Sequence, residues 1–269
     1  MLIKKLNNKK ISINSFSILS ILGIFILANL LEISIAIVPS SFVKIYLSKS
    51  SIIWVLFIIG LFTKYIVIRC LISWFCSFQK PPIINRYKPG RTLIVCLLIL
   101  ISYRLIYNFG ISHIFDFSRN SSVVTSTFNE LFNFKILALI TVLLVSPIYE
   151  EIIFRGLILN ALRERHSETL SIVISAILFS IVHLNLVQCV NTFLIGLILG
   201  LIYVKTESLY IVIFAHIFHN MLALKLPTFI NGPNWLQITG SVFIIIISLL
   251  VFLKSIAYIF NHKTEIEND

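Results

Sequence analysis

The sequence predicts an all-α, polytopic membrane helix bundle, and three observations carry that prediction. Apolar residues far exceed a soluble domain's share, they gather into runs about as long as a bilayer is thick, and basic residues concentrate in alternate connections. Hydrophobic residues are 58% and charged residues 12% of 269, with a mean hydropathy of +0.99. Soluble domains average roughly 45–50% and 25%.

With ~20 apolar residues per span as the measure, eight helices are expected, at about 15–38, 51–76, 92–110, 135–162, 168–188, 190–204, 208–226 and 235–260. The first is longer than the apolar region of a secretory signal and is followed by further spans, so it reads as a retained helix. Pro81-Pro82 and Pro89-Gly90 punctuate the connection between the second and third helices. The Ser-, Thr- and Asn-rich stretch Asn108–Asn133 separates the third from the fourth. The sixth helix is short and its start near Gln188–Asn191 is weakly marked, which fits either a tight hairpin with the fifth or a partly re-entrant pair.

Lys and Arg accumulate in short cytoplasmic loops. Lys4, Lys5, Lys9 and Lys10 precede the first helix; Lys80, Arg86, Lys88 and Arg91 follow the second; Arg163 and Arg165 follow the fourth, Lys205 the sixth and Lys263 the eighth. The other connections hold few charges: Lys44, Lys49, Asp116, Arg119 and Glu130. Both termini are therefore expected in the cytoplasm. The net charge of +11 is scattered over these loops rather than gathered on a soluble module, which argues against nucleic-acid binding and for anchoring on anionic headgroups. No internal repeat or low-complexity tract divides residues 1–269, which read as a single integral membrane domain. Cys70, Cys76, Cys96 and Cys189 show no CxxC spacing and read as packing residues.

Ionisable groups at membrane depth are costly and so mark function. One of the most apolar runs holds Glu150-Glu151-x-x-x-Arg155; two later ones hold Phe179-x-x-x-His183 and His216-x-x-x-Asn220. Glu151 and Arg155, four apart, pair across one helical turn. Neighbouring residues point about 100° apart, which leaves Glu150 for another task. Depth counting at ~1.5 Å per residue puts Glu150 and His183 roughly 18–22 Å from the cytoplasmic ends but His216 only about 12 Å, an offset that needs a tilted or earlier-starting seventh helix.

Each residue also has a purely structural reading. Glu151 and Arg155 could simply neutralise each other and hold helices in register. A second carboxylate beside one Arg leaves a charge over, so this reading fits Glu150 less well. A lone intramembrane His or Asn is ordinarily interhelical glue, a reading that weakens when three helices each contribute one. Phe179 is one of 22 Phe and reads as packing, His219 as a satisfied structural group, and Glu32 as interfacial. Lys64, Arg69 and Arg104 read as side chains snorkelling to headgroups.

Taken in order on separate apolar helices, with Pro147 before the acids and Phe154 and Gly156 flanking Arg155, the three motifs resemble the CPBP family of intramembrane CAAX proteases and bacteriocin-processing enzymes, also called Abi proteins. The resemblance covers about residues 135–225. It implies that Glu150 is a general base, that His183 helps it activate water, and that His216 and Asn220 stabilise the oxyanion. Glu151 and Arg155 would orient the site or the leaving group. A desolvated carboxylate suits proton transfer, and donors aimed at developing negative charge are often the largest catalytic contribution.

The family is described as metalloproteases, so zinc on Glu150, His183 and His216 is the alternative to a purely Glu-activated water. The implied partners are a bilayer and a membrane peptide or protein substrate in a bacterial multi-pass setting. Bacteriocin self-immunity or peptide maturation is preferred over prenyl-CAAX processing, because the Ile-, Lys- and Asn-rich composition points to an AT-rich bacterial genome. Two other classes stay open: a catalytically silent scaffold regulating a partner, and a proton-coupled transporter, which inverted repeats or broken helices would support.

Overall fold

A computed structural model describes residues 11–13, 23, 27, 30, 49–78, 89–112, 135–183, 186–225 and 234–261. Of the expected first span, 15–38, only Gly23, Leu27 and Leu30 are among them, each helical; the rest, and the loops carrying most of the orienting Lys and Arg residues, lie outside the described residues.

The apolar runs form helices close to where they were expected. Helix α1 spans Lys49–Phe75. Helix α2 spans Pro89–Ile106 and continues through a π-helical turn, Tyr107–Ile111. Residues 135–163 form one continuous helix, α3, in five segments: Lys135–Ile140, a π turn Thr141–Val145, Ser146–Glu151, a longer π stretch Ile152–Leu159, and Asn160–Arg163. Helices α4 (Glu168–Ile181), α5 (Leu186–Thr206), α6 (Leu209–Lys225) and α7 (Asn234–Asn261) complete the bundle. A short antiparallel ribbon, β1 (Ile11–Ile13) with β2 (Cys76–Phe78), pairs Ile11 with Phe78 and Ile13 with Cys76, an addition to the otherwise helical chain.

Among the described residues three helices are long and apolar enough to cross a membrane by length and composition: Gly90–Ile111, Gln188–Thr206 and Asn234–Asn261. Large apolar side chains along α7, among them Ile238, Phe243, Leu250 and Leu253, face outward, as a lipid-contacting helix requires.

Close packing of α4 against α5 forms the hairpin that the weak Gln188–Asn191 boundary had left ambiguous. Its contact rests on two small residues four apart, Gly196 and Gly200. A Cβ on Gly196 would sit 3.1 Å from Ala176 Cβ and 3.2 Å from Phe179 Cδ1, and one on Gly200 would sit 3.0 Å from Ile172 Cγ2. Small residues at this spacing let helix backbones approach in the absence of a hydrophobic drive between lipid-embedded helices. Ser167 caps the start of α4 by accepting from Leu170 N. Glu207, in the left-handed region at φ 50°, turns α5 directly into α6.

Ion pairs gather the ends of α3, α4 and α5. Arg163 Nη2 lies 3.1 Å from Glu168 and 3.7 Å from Glu207, and Lys205 Nζ lies 3.9 Å from Glu168. The connections after α3 and α5 thus share one end of the bundle, as their charges suggested. Cys70, Cys96 and Cys189 carry free thiols.

Candidate active site

The two acids sit where α3 is least regular. Pro147, near the start of the Ser146–Glu151 segment, has no N–H to give to the preceding turn, and π turns lie on both sides. π segments inside α-helices occur frequently at functional sites. They also advance less per residue than an α-helix, because each turn holds more residues, and this removes part of the depth mismatch. Glu150 precedes Arg163 by 13 positions, eight residues of that interval being the π stretch Ile152–Leu159, so ~1.5 Å per residue overstates its depth. His216, seven positions into α6, reaches both acids.

Glu151 and Arg155 pair as the spacing predicted, Nη1 donating to Oε1 at 2.9 Å, with both side chains almost completely buried. Arg155 Nη2 donates to Gly196 O at 3.0 Å, and its Cζ lies 4.7 Å from the Phe179 ring centroid. One guanidinium thereby ties α3 to α5 and α4. It is wholly enclosed. His216 Nδ1 donates to the same Glu151 Oε1 at 2.7 Å, leaving Nε2 to face Glu150 Oε2 at 3.7 Å. The acids therefore differ: Glu151 is 0% exposed and accepts from Arg155 and His216, while Glu150 is 23% exposed and faces the imidazole.

His183 is not on a helix. The expected span 168–188 ends at Ile181, and Val182 and His183 form a turn closed by His183 N donating to Ser180 O at 3.1 Å, a tightening of the last turn that satisfies an end carbonyl. Its Nδ1 lies 3.0 Å from Phe179 O. A carbonyl only accepts, so Nδ1 carries the proton and Nε2 is left as an acceptor. Phe179 is packing, as its abundance suggested, yet packing that positions: its ring meets His183 at 5.3 Å, His216 at 5.7 Å and Phe154 at 5.1 Å, all edge-on. Asn220 donates through Nδ2 to Val142 O at 2.9 Å, pinning α6 to the first π turn of α3. An amide NH2 has two hydrogens, so one donor is not used by this bond.

Two side chains read as snorkelling turn inward instead. Lys64, on α1, lies with Nζ 4.9 Å from the Tyr149 ring centroid and within electrostatic reach of Glu150. Arg104, on α2, is buried against Tyr107. Arg69 is exposed, as expected. Gly196 and Tyr149 went unnoticed in the sequence, and Lys64 was noticed only as a snorkelling side chain. The Gly196–Gly200 spacing was a legible signal; the inward turn of Lys64 was not, because it depends on which face of α1 meets α3.

Glu150, His216 and His183 supply the donor types zinc prefers. Among the described residues, however, no group of three or more His, Cys, Asp or Glu side chains converges so as to hold a metal ion. His216 Nδ1 and His183 Nδ1 are committed to Glu151 and Phe179 O, so Nε2 is the nitrogen of each ring that could ligate a metal.

Residues 132–222 match the family described as type II CAAX prenyl endopeptidase Rce1-like. The "Putative membrane peptidase YdiL" of Bacillus subtilis (strain 168) is 36% identical over 77 residues, which cover 29% of this chain and 32% of that protein. The "Uncharacterized 24.3 kDa protein" of Escherichia coli is 34% identical over 86 residues, 30% of this chain and 40% of its own length. The similarity thus spans about a third to two fifths of the length of these curated relatives. No solved structure matches the chain. The resemblance read from the three motifs agrees with these findings: residues 132–222, the part of the chain that matches the Rce1-like family of type II CAAX prenyl endopeptidases, hold all three.

Proposed function

We propose that the protein is an intramembrane endopeptidase of the CAAX type that hydrolyses a peptide bond of a membrane-associated peptide or protein. The observation that supports this most is the unequal division of the two acids: one is enclosed and fixed by Arg155 and His216, the other is partly open and faces an imidazole. A purely structural ion pair has no use for the second carboxylate.

In the proposed reaction Glu150 accepts a proton from water held with the help of His183 Nε2. The water oxygen bonds to the scissile carbonyl carbon, and the carbonyl π pair moves onto oxygen. The resulting oxyanion takes hydrogen bonds from the second Asn220 N–H and from His216 Nε2 when that nitrogen is protonated. Collapse breaks the C–N bond, and the departing amine takes the proton from Glu150. Glu151 and Arg155 are positioning residues: Glu151 holds the imidazole of His216, and Arg155 holds Glu151.

The reading includes eight spans, both termini in the cytoplasm, and a multi-pass protein of a bacterial cell membrane serving bacteriocin self-immunity or peptide maturation. Zinc on Glu150, His183 and His216 is a separate proposal, decided by metal analysis of the purified chain: stoichiometric zinc lost on His183→Ala supports it, and a metal-free active chain overturns it.

The test is N-terminal peptide profiling of membranes from cells expressing the chain or its Glu150→Gln variant at matched levels. New termini that vanish with Glu150→Gln support proteolysis and identify the substrate. Identical profiles, with any phenotype rescued by the variant, overturn it in favour of a scaffold.

A further inference from the structure

The buried seam between α2 and α6 carries a second polar cluster, which the proposed reaction does not use. Arg104 is 9% exposed and His219 3%. His219 stands one helical turn from His216, ~4.5 Å along the axis, and lies within electrostatic reach of both His216 and Arg104. Its ring stacks obliquely on Tyr103 at 5.8 Å; Tyr103 leans on Tyr107 at 6.1 Å, and Arg104 Cζ sits 5.6 Å from the Tyr107 ring. Tyr103 Oη donates to Asn191 Oδ1 at 2.8 Å, which fixes the tyrosine.

The guanidinium and the imidazole stand out for what they lack. Among the described residues Arg104 forms no ion pair or hydrogen bond, and both Arg104 Nε and His219 Nδ1 are buried without a partner. A guanidinium held inside a membrane helix without an anion is costly. Arg155, on the neighbouring helix, shows how the same fold compensates such a group, with a carboxylate and a carbonyl at hydrogen-bond distance. The aromatic rings around Arg104 stabilise its charge but offer no oxygen lone pair.

We propose that Arg104, with His219 beside it, forms a subsite for a carboxylate of the peptide substrate. Guanidinium pairs with carboxylate in a planar, bidentate fashion that favours this class of anion. The source is either the free C-terminus or an acidic side chain of the peptide. The seam borders the proposed site, since His219 stands one turn from His216, whose Nε2 lies 3.7 Å from Glu150 Oε2. The subsite rests on the peptidase reading for its occupant, but its test needs no turnover.

Binding is measured on the full chain carrying Glu150→Gln, in phosphatidylcholine nanodiscs. The probes are an N-palmitoylated Gly-Ala-Val-Leu free acid, its C-terminal amide, and the amide of N-palmitoylated Gly-Ala-Val-Glu. The free acid is expected to bind about ten-fold or more tighter than the Leu amide, as a charge-assisted hydrogen bond implies. Arg104→Gln should abolish the difference, and Arg104→Lys should keep part of it in a folded protein. If the Glu amide matches the free acid, a side-chain carboxylate serves; if it matches the Leu amide, the subsite takes the C-terminus. Equal binding of acid and amide, no binding of any probe, or a preference that survives Arg104→Gln overturns the proposal. So does loss of the preference on adding phosphatidic acid to the nanodiscs, which would make the occupant a lipid phosphate. Hydrolysis is read separately by the profiling experiment, so either result stands without the other.

Discussion

Replacing Arg155 with methionine keeps an unbranched apolar stem but removes the guanidinium and every polar contact it makes. The lost contacts are a 2.9 Å charged hydrogen bond to Glu151, a 3.0 Å bond to Gly196 O and a cation–π contact with Phe179 at 4.7 Å. Charged hydrogen bonds contribute about 1.5–3 kcal/mol each and a desolvated cation–π contact about 2 kcal/mol. The cost of burying the guanidinium, which the variant no longer bears, offsets part of that sum. Removing one partner of a buried pair leaves the other charge uncompensated, and the measured cost of doing so is about 3–5 kcal/mol. That range is the expected loss for Arg155→Met, read by SDS titration of the chain in mild-detergent micelles with helical circular dichroism as the signal. A cycle with Glu151→Gln should give a coupling of about 1–3 kcal/mol, because the neutral amide no longer needs the cation. Arg155→Lys should lie between, since an ammonium cannot reach two acceptors and the ring at once. A loss below about 1 kcal/mol, or additive single and double variants, would refute the view that this pair fixes the site.

The hairpin of α4 and α5 should be equally sensitive to a single methyl. Gly196→Ala places Cβ 3.1 Å from Ala176 Cβ and 3.2 Å from its Cα, and overpacking of this kind costs about 1–3 kcal/mol; thermal unfolding in detergent should show it, while Gly60→Ala, with open space around it, should leave the midpoint unchanged. Lys64→Met should lower turnover of whatever substrate profiling identifies without lowering the amount of folded protein. The lysine faces Glu150 from outside the family segment, so a variant with unchanged kcat and KM would remove it from the site.

Helix positions were largely legible because each apolar run is close to the length a bilayer demands, and six of the seven helices described from α1 onward both begin and end within a few residues of where composition put them, α4 ending early at Ile181. The pairing of Glu151 with Arg155 was equally legible, since a spacing of four on a helix needs no tertiary information. His183 was misplaced on a helix because nothing in Ser180-Ile-Val-His183 breaks one; the turn arises from the hairpin that follows. Part of the apparent depth offset of His216 came from assuming α-helical rise through α3, when π turns are invisible to hydropathy. Lys64 and Arg104 were assigned to headgroups because sequence gives a side chain's height in the membrane more readily than its compass direction.

The π stretch Ile152–Leu159 gives the chain an unusual sensitivity to length. A π turn accommodates residues that an α-helix of equal length would exclude, so deleting one residue there would leave the apolar character of α3 almost untouched while rotating everything beyond the deletion relative to the acids before it. A deletion before Arg155 would swing it off the axis that joins Glu151 to Gly196 and Phe179. Substitutions that preserve hydropathy are therefore a gentler perturbation of this segment than any change in its residue count, and an insertion or deletion between Glu151 and Arg163 amounts to a change of phase in the helix that carries both acids.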